Sequence, residues 1–117
     1  MAVQQTIDVT TDINADGRAT LDVGGYDYAV VELVSPTSTA TFASTSDSGD
    51  ITGVSDGSAA SATNFVTTQG TDLSSGSAVS TLAITGQVKF AGGGRFLRII
   101  GPGLTVTKGL VRLFKIN

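Results

Sequence analysis

The chain has no cysteine, no histidine and no tryptophan, and its 117 residues include only seven aromatic side chains. Without cysteine there is no disulfide framework and no thiolate nucleophile. Without histidine the commonest general base and the commonest metal ligand are both missing. A lone serine or aspartate with no histidine or activating lysine beside it makes no nucleophile pair, so the chain is not expected to be an enzyme. No apolar run approaches the roughly 20 residues that span a bilayer. The opening Met1-Ala2-Val3-Gln4-Gln5 lacks the basic and apolar regions of a secretory signal, so a soluble protein made in a cytoplasm, and left or assembled there, is expected.

Charge of one sign is also missing from each half. All ten carboxylates lie between Asp8 and Asp72, while six of the seven basic residues lie between Lys89 and Lys115. The first 72 residues carry a formal −9, ten carboxylates against Arg18 alone, and the remainder carries +6. Such asymmetry signals a nucleic-acid arm, an acidic tail, or surfaces that pair with each other or with copies of the chain. The overall pI of about 4.5 argues against nucleic acid. The stacking platform of such a site is reduced to Phe96 between Arg95 and Arg98.

What is abundant is glycine, serine, threonine, alanine and valine, with few strong helix formers, and this favours strands and turns. The spacing predicts strands over 3–9, 19–23, 26–33, 39–44, 82–85, 88–91, 95–100 and 110–116, separated by glycine- and proline-containing turns. About eight short antiparallel strands with regular turn signals predict an all-β chain. The expected architecture is a single β-sandwich or jelly-roll domain over 1–117, with its last strand inside a sheet. Phe42 is expected to point inward. Residues 44–80 form a long small-residue loop region with a short strand near 64–69. Its few apolar anchors, Ile51, Val54, Phe65, Val66 and Leu73, are expected to tether it to a core or a partner.

Three local patterns carry chemistry on paper. Asp12-x-Asn14-x-Asp16-Gly17 matches the first half of a calcium loop, but the twelfth position is Val23 where a bidentate glutamate is needed. A tight turn is the simpler reading, and neither a metal nor another cofactor is expected. Gly92-Gly93-Gly94-Arg95 lacks the ending of a phosphate loop and precedes a strand, so it reads as a hairpin turn or bulge. The third pattern concerns parity. Arg98 alternates in step with Phe96 and Ile100, and Arg112 with Leu110, Phe114 and Ile116. Either these arginines meet carboxylates, with Glu32 beside Tyr28 and Val30 the natural partner, or their face is an interface; a bulge near Arg98 is the alternative. Glu32, Arg95, Arg98 and Arg112 are thus the ion-pair or interface candidates.

The segments 25–34 (Gly-Tyr-Asp-Tyr-Ala-Val-Val-Glu-Leu-Val), 41–49 (Thr-Phe-Ala-Ser-Thr-Ser-Asp-Ser-Gly), 88–100 with Gly94-Arg95-Phe96-Leu97-Arg98, and the closing Thr105-Val-Thr and Val111-Arg-Leu resemble the small β-sandwich modules of tailed-phage virion proteins. Phe96 stands where another aromatic is usual after Gly-Arg, and the turn reads Ser-Asp-Ser-Gly. The resemblance implies a virion structural protein on the capsid surface. It implies a decoration or cementing protein whose partners are the major capsid protein and itself, as a dimer or trimer, with no nucleic acid or membrane. A tail- or fibre-associated carbohydrate- or receptor-binding module is the alternative.

Overall fold

In the computed structural model, residues 2–45, 65–91 and 96–116 are described. Two antiparallel sheets make the sandwich. The first takes the order β1 (Ala2–Asp8), β11 (Lys108–Lys115), β3 (Tyr28–Val34), β9 (Gly86–Ala91), β6 (Gly70–Asp72) and β7 (Ala78–Val79). The second runs β2 (Arg18–Asp22), β10 (Phe96–Ile100), β4 (Ala40–Thr45) and β5 (Val66–Thr67), with β8 (Thr81–Leu82) also on β4. Successive long strands alternate between the sheets, so hairpin neighbours in sequence seldom pair. The last strand does lie inside a sheet, between β1 and β3.

Period-two alternation explains the core. In β3 the odd residues Ala29, Val31 and Leu33 face inward, as do Val88 and Phe90 of β9, Leu97 and Ile99 of β10, and Val111 and Leu113 of β11. Phe42 is fully buried and meets Phe90 edge-on with ring centroids 4.9 Å apart.

Four expectations are corrected. Eleven strands appear among the described residues: β5 falls where a short strand was expected near 64–69, while β6 and β7 add two strands to the region expected as loop. Strand character near Leu82 covers only Thr81–Leu82, and the chain turns before β9. Of the residues expected to tether that region to a core or a partner, Val66 and Leu73 are 68% and 48% exposed and so are not anchored in this chain's core, while Ile51 and Val54 lie outside the described residues.

The fourth correction is the turn expected over 12–17, where the chain instead folds as a short helix, α1 (Thr10–Asp16), closed by Gly17. The Asp8 side chain accepts the Thr10 N–H at 2.9 Å just ahead of it. Gly17 ends it at φ 72°, a left-handed residue whose N–H reaches back to the Ile13 carbonyl. Tertiary packing decides the matter: Ile13 is completely buried, and a helix this short is marginal alone. Asn14 commits its carboxamide to the Val106 backbone, accepting from the Val106 N–H at 2.8 Å and donating to its carbonyl at 3.1 Å. Asn14→Ala is expected to cost about 1–2 kcal/mol in urea unfolding, since two backbone groups lose their partner. A change below about 0.3 kcal/mol would show that water replaces the amide without loss.

Candidate interaction surfaces

The arginines singled out by parity lie on the outer faces of the sandwich, because the odd residues of β11 and β10 that flank them take the core side. On the six-stranded sheet, register sets Arg112 and Lys89 on either side of Val30, and Phe114 opposite Tyr28. Val30 is only 9% exposed between these two long side chains, whose aliphatic stems can cover apolar surface while the charge stays wet. The Tyr28 and Phe114 rings stack with centroids 5.1 Å apart, and the Lys89 ammonium sits 4.3 Å from the Tyr28 ring centre. This is a three-layer cation–aromatic arrangement.

Glu32 and Arg112 come together. The Arg112 Nη1 lies 3.0 Å from the Glu32 Oε1. At that oxygen the approach falls outside hydrogen-bond alignment, so the contact is an ion pair first. The Arg112 guanidinium holds the Glu32 carboxyl below the usual carboxylate range, against the opposing effect of burial, with Lys108 and Gln87 adding smaller contributions. Because the folded-state pKa is lowered, the stabilisation is present above the unfolded value and is lost as pH falls through the folded one. The expected size is about 0.5–1 kcal/mol for a pair this close to solvent. Urea unfolding of the parent and Glu32→Gln should therefore differ by that amount at neutral pH and converge below about pH 4.5. An equal gap at both pH values would assign the difference to packing.

Arg98 belongs to the other sheet and so does not share Glu32. Register flanks it with Thr20 and Ala43, and its guanidinium lies 4.5 Å from the Phe65 ring centre. Burial, then the like charge of Arg18, push its pKa down. Around it Thr20, Ala43, Thr45 and Phe96 are all buried although they face away from the core. Nothing in the sequence near Arg98 announces Phe65, since the two residues meet only through the fold. Arg95 and the glycines before it lie outside the described residues.

The charge split along the chain dissolves across the six-stranded sheet. Its order alternates an acidic-half strand with a basic-half strand: β1 with Asp8, β11 with Lys108, Arg112 and Lys115, β3 with Glu32, β9 with Lys89, and β6 with Asp72. Asp8 has its pKa lowered mainly by hydrogen bonds from Thr10, and Lys108 contributes across the strand pair.

At one open side of the sandwich, between β1 and β2, lies a groove of about 450 Å³. Ile7, Val9 and Leu21 line it together with Asp12, Asp22 and Tyr26, and the Tyr26 hydroxyl donates to the Gln5 side chain at 3.0 Å. Asp12 and Asp22 enter this groove from a helix and a strand, not from a cation-binding loop. Among the described residues no three acidic side chains gather as a metal cluster.

The architecture thus defines an all-β two-sheet sandwich whose outer faces mix charge with apolar surface. No family model matches the chain, and no curated protein matches it in sequence. Among solved structures it is similar to the SPBc2 prophage-derived protein YomS, with a TM-score of 0.64 and 16% identity over 97% of this chain and 96% of that one. At that identity the likeness is one of fold, and it extends over nearly the whole of both chains.

Proposed function

We propose that this chain is a virion structural protein of a tailed phage, acting without catalysis as a capsid decoration or cementing protein that binds the major capsid protein lattice and associates with itself. The observation that carries the phage assignment is the end-to-end fold likeness to a prophage-derived protein. The decoration role rests on the faces themselves: Arg112, Lys89 and Glu32 stand among Val30, Tyr28 and Phe114 on one sheet, and Arg98 lies over Phe65 on the other. Such mixed faces suit docking on a lattice, with charge fixing orientation and apolar contact supplying affinity.

The carbohydrate- or receptor-binding alternative asks for an aromatic face open to a sugar ring. Tyr28 is instead stacked on Phe114 and covered by Lys89, and Phe42, Phe90 and Phe96 are buried. Among the described residues, that reading has little to work with.

The deciding experiment is co-sedimentation of the purified chain with empty capsids of the phage that encodes it. Saturable binding that raises the melting temperature of the shell supports the cementing role. Failure to bind at micromolar concentrations sinks it.

A further inference from the structure

The outer face of the five-stranded sheet carries buried polar atoms that the fold does not satisfy. Ala19 and Leu21 of β2 take the core side, so Arg18, Thr20 and Asp22 share the outer face with Arg98 of β10. Register puts Thr20 directly opposite Arg98, and Arg18 opposite Ile100, one diagonal step from Arg98. Diagonal neighbours of an antiparallel pair lie about 7–8 Å apart, a span within reach of long side chains. Thr20 therefore sits between the two arginines, at the floor of the space they enclose.

Thr20 is 3% exposed, and neither its hydroxyl nor the buried Arg18 Nε has a hydrogen-bond partner. Buried polar groups are nearly always paired, and a donor on a charged group is the costlier kind to leave without an acceptor. Among the described residues no carboxylate pairs with Arg18. The carboxylate that β2 itself turns to this face, Asp22, accepts the Gly24 N–H at 2.9 Å. Like charge adds to the demand for an anion. Burial first, and then the neighbouring Arg18, disfavour the protonated form of Arg98. A guanidinium carries five N–H donors in a planar fork, so Arg98 can serve the Phe65 ring and a ligand together.

We propose that Arg18, Thr20 and Arg98 form a binding site for an oxyanion with at least two acceptor oxygens, a phosphate or carboxylate group. The arginine forks present paired N–H donors in the geometry that such oxygens accept, and the Thr20 hydroxyl adds a donor at the floor. An anion held there answers the Arg18 Nε and the Thr20 hydroxyl at once and offsets the repulsion between the two cations. The burial of Thr20 restricts the ligand to a small group entering by its charged end. The site lies on the opposite sheet from the Glu32–Arg112 pair and needs no capsid, so its failure leaves the decoration reading untouched.

The test is titration of the full chain with sodium phosphate and, separately, sodium acetate, against sodium chloride at matched ionic strength. Two readouts are followed, the melting temperature and the nitrogen–proton NMR resonance of the Arg18 Nε. The expected response is saturable movement of that resonance, and a melting temperature about 4–7 °C higher at ten times the dissociation constant. Arg18→Gln should weaken binding about tenfold or more. Thr20→Val should bind about tenfold more weakly yet melt no lower than the parent in chloride, because its hydroxyl has no bond to lose. Response to phosphate alone assigns a phosphate-type ligand, and an equal response to acetate assigns a carboxylate. No saturable response to either anion overturns the proposal, and the resonance of the parent decides this without any variant having to fold. Arg18→Gln that binds as tightly as the parent also overturns it. So does Thr20→Val melting well below the parent in chloride, since the hydroxyl would then be bonded within the fold.

Discussion

Phe42→Ala is expected to lower the unfolding free energy by about 3–5 kcal/mol, the range for deleting a buried aromatic ring. Phe42 is completely buried at the centre of β4, between the two sheets, and its ring meets Phe90 of the facing sheet at 4.9 Å. Removing it takes away both the transfer free energy of the ring and the edge-on contact. The β4 backbone is held by β10, β5 and β8, so it is poorly placed to collapse into the gap. Against a total stability of roughly 5–15 kcal/mol for a domain of this kind, the variant should be close to unfolding at physiological temperature. Thermal melting by near-ultraviolet circular dichroism checks it. A shift under 5 °C would mean that the core repacks around the cavity, a loss of under about 2 kcal/mol.

Gly70→Ala carries the second large effect, and it works by overfilling. A Cβ on Gly70 would stand 2.6 Å from the Val88 Cγ1, 2.7 Å from the Lys89 carbonyl oxygen and 2.8 Å from the Phe90 Cε1. The carbonyl belongs to β9, which β3 holds from its other side, so β6 is the element that must move. Overpacking of this kind costs about 1–3 kcal/mol. The displaced strand also loosens β7, which among the described residues pairs with β6 alone. The expected result is a fall of that size in urea unfolding, together with faster amide exchange over 70–79. A variant within 0.5 kcal/mol of the parent would show that β6 shifts freely.

Both effects trace to features of unequal legibility. The inward place of Phe42 could be read from alternation over 39–44, because a half-buried strand repeats every two residues. Parity likewise separated Ala29, Val31 and Leu33 from Tyr28, Val30 and Glu32, and it picked out Glu32 and Arg112, which meet at 3.0 Å. Gly70 gave no such signal. Its need for a missing side chain arises from the approach of β9, and a glycine among so many small residues looks like another turn. The helix Thr10–Asp16 was hidden for a related reason, since its stability comes from burying Ile13 and tying Asn14 to Val106, a contact far away in the chain.

The division of charge along the chain shows where local reading stops. Composition and alternation alone point to an all-β sandwich, to the two faces of the strand over 26–33, to the inward place of Phe42, to Arg98 and Arg112 standing in apolar stripes, and to the lack of histidine and cysteine. These follow from properties of each residue and its near neighbours: side-chain shape, period and turn preference. Which strand lies beside which is set by burial of the whole core. That choice interleaves the acidic and basic halves in one sheet, sends Arg98 to Phe65 instead of Glu32, and leaves β1 as the long edge. Only the tertiary structure decides these, because pairing energy depends on strands brought together from opposite ends of the chain.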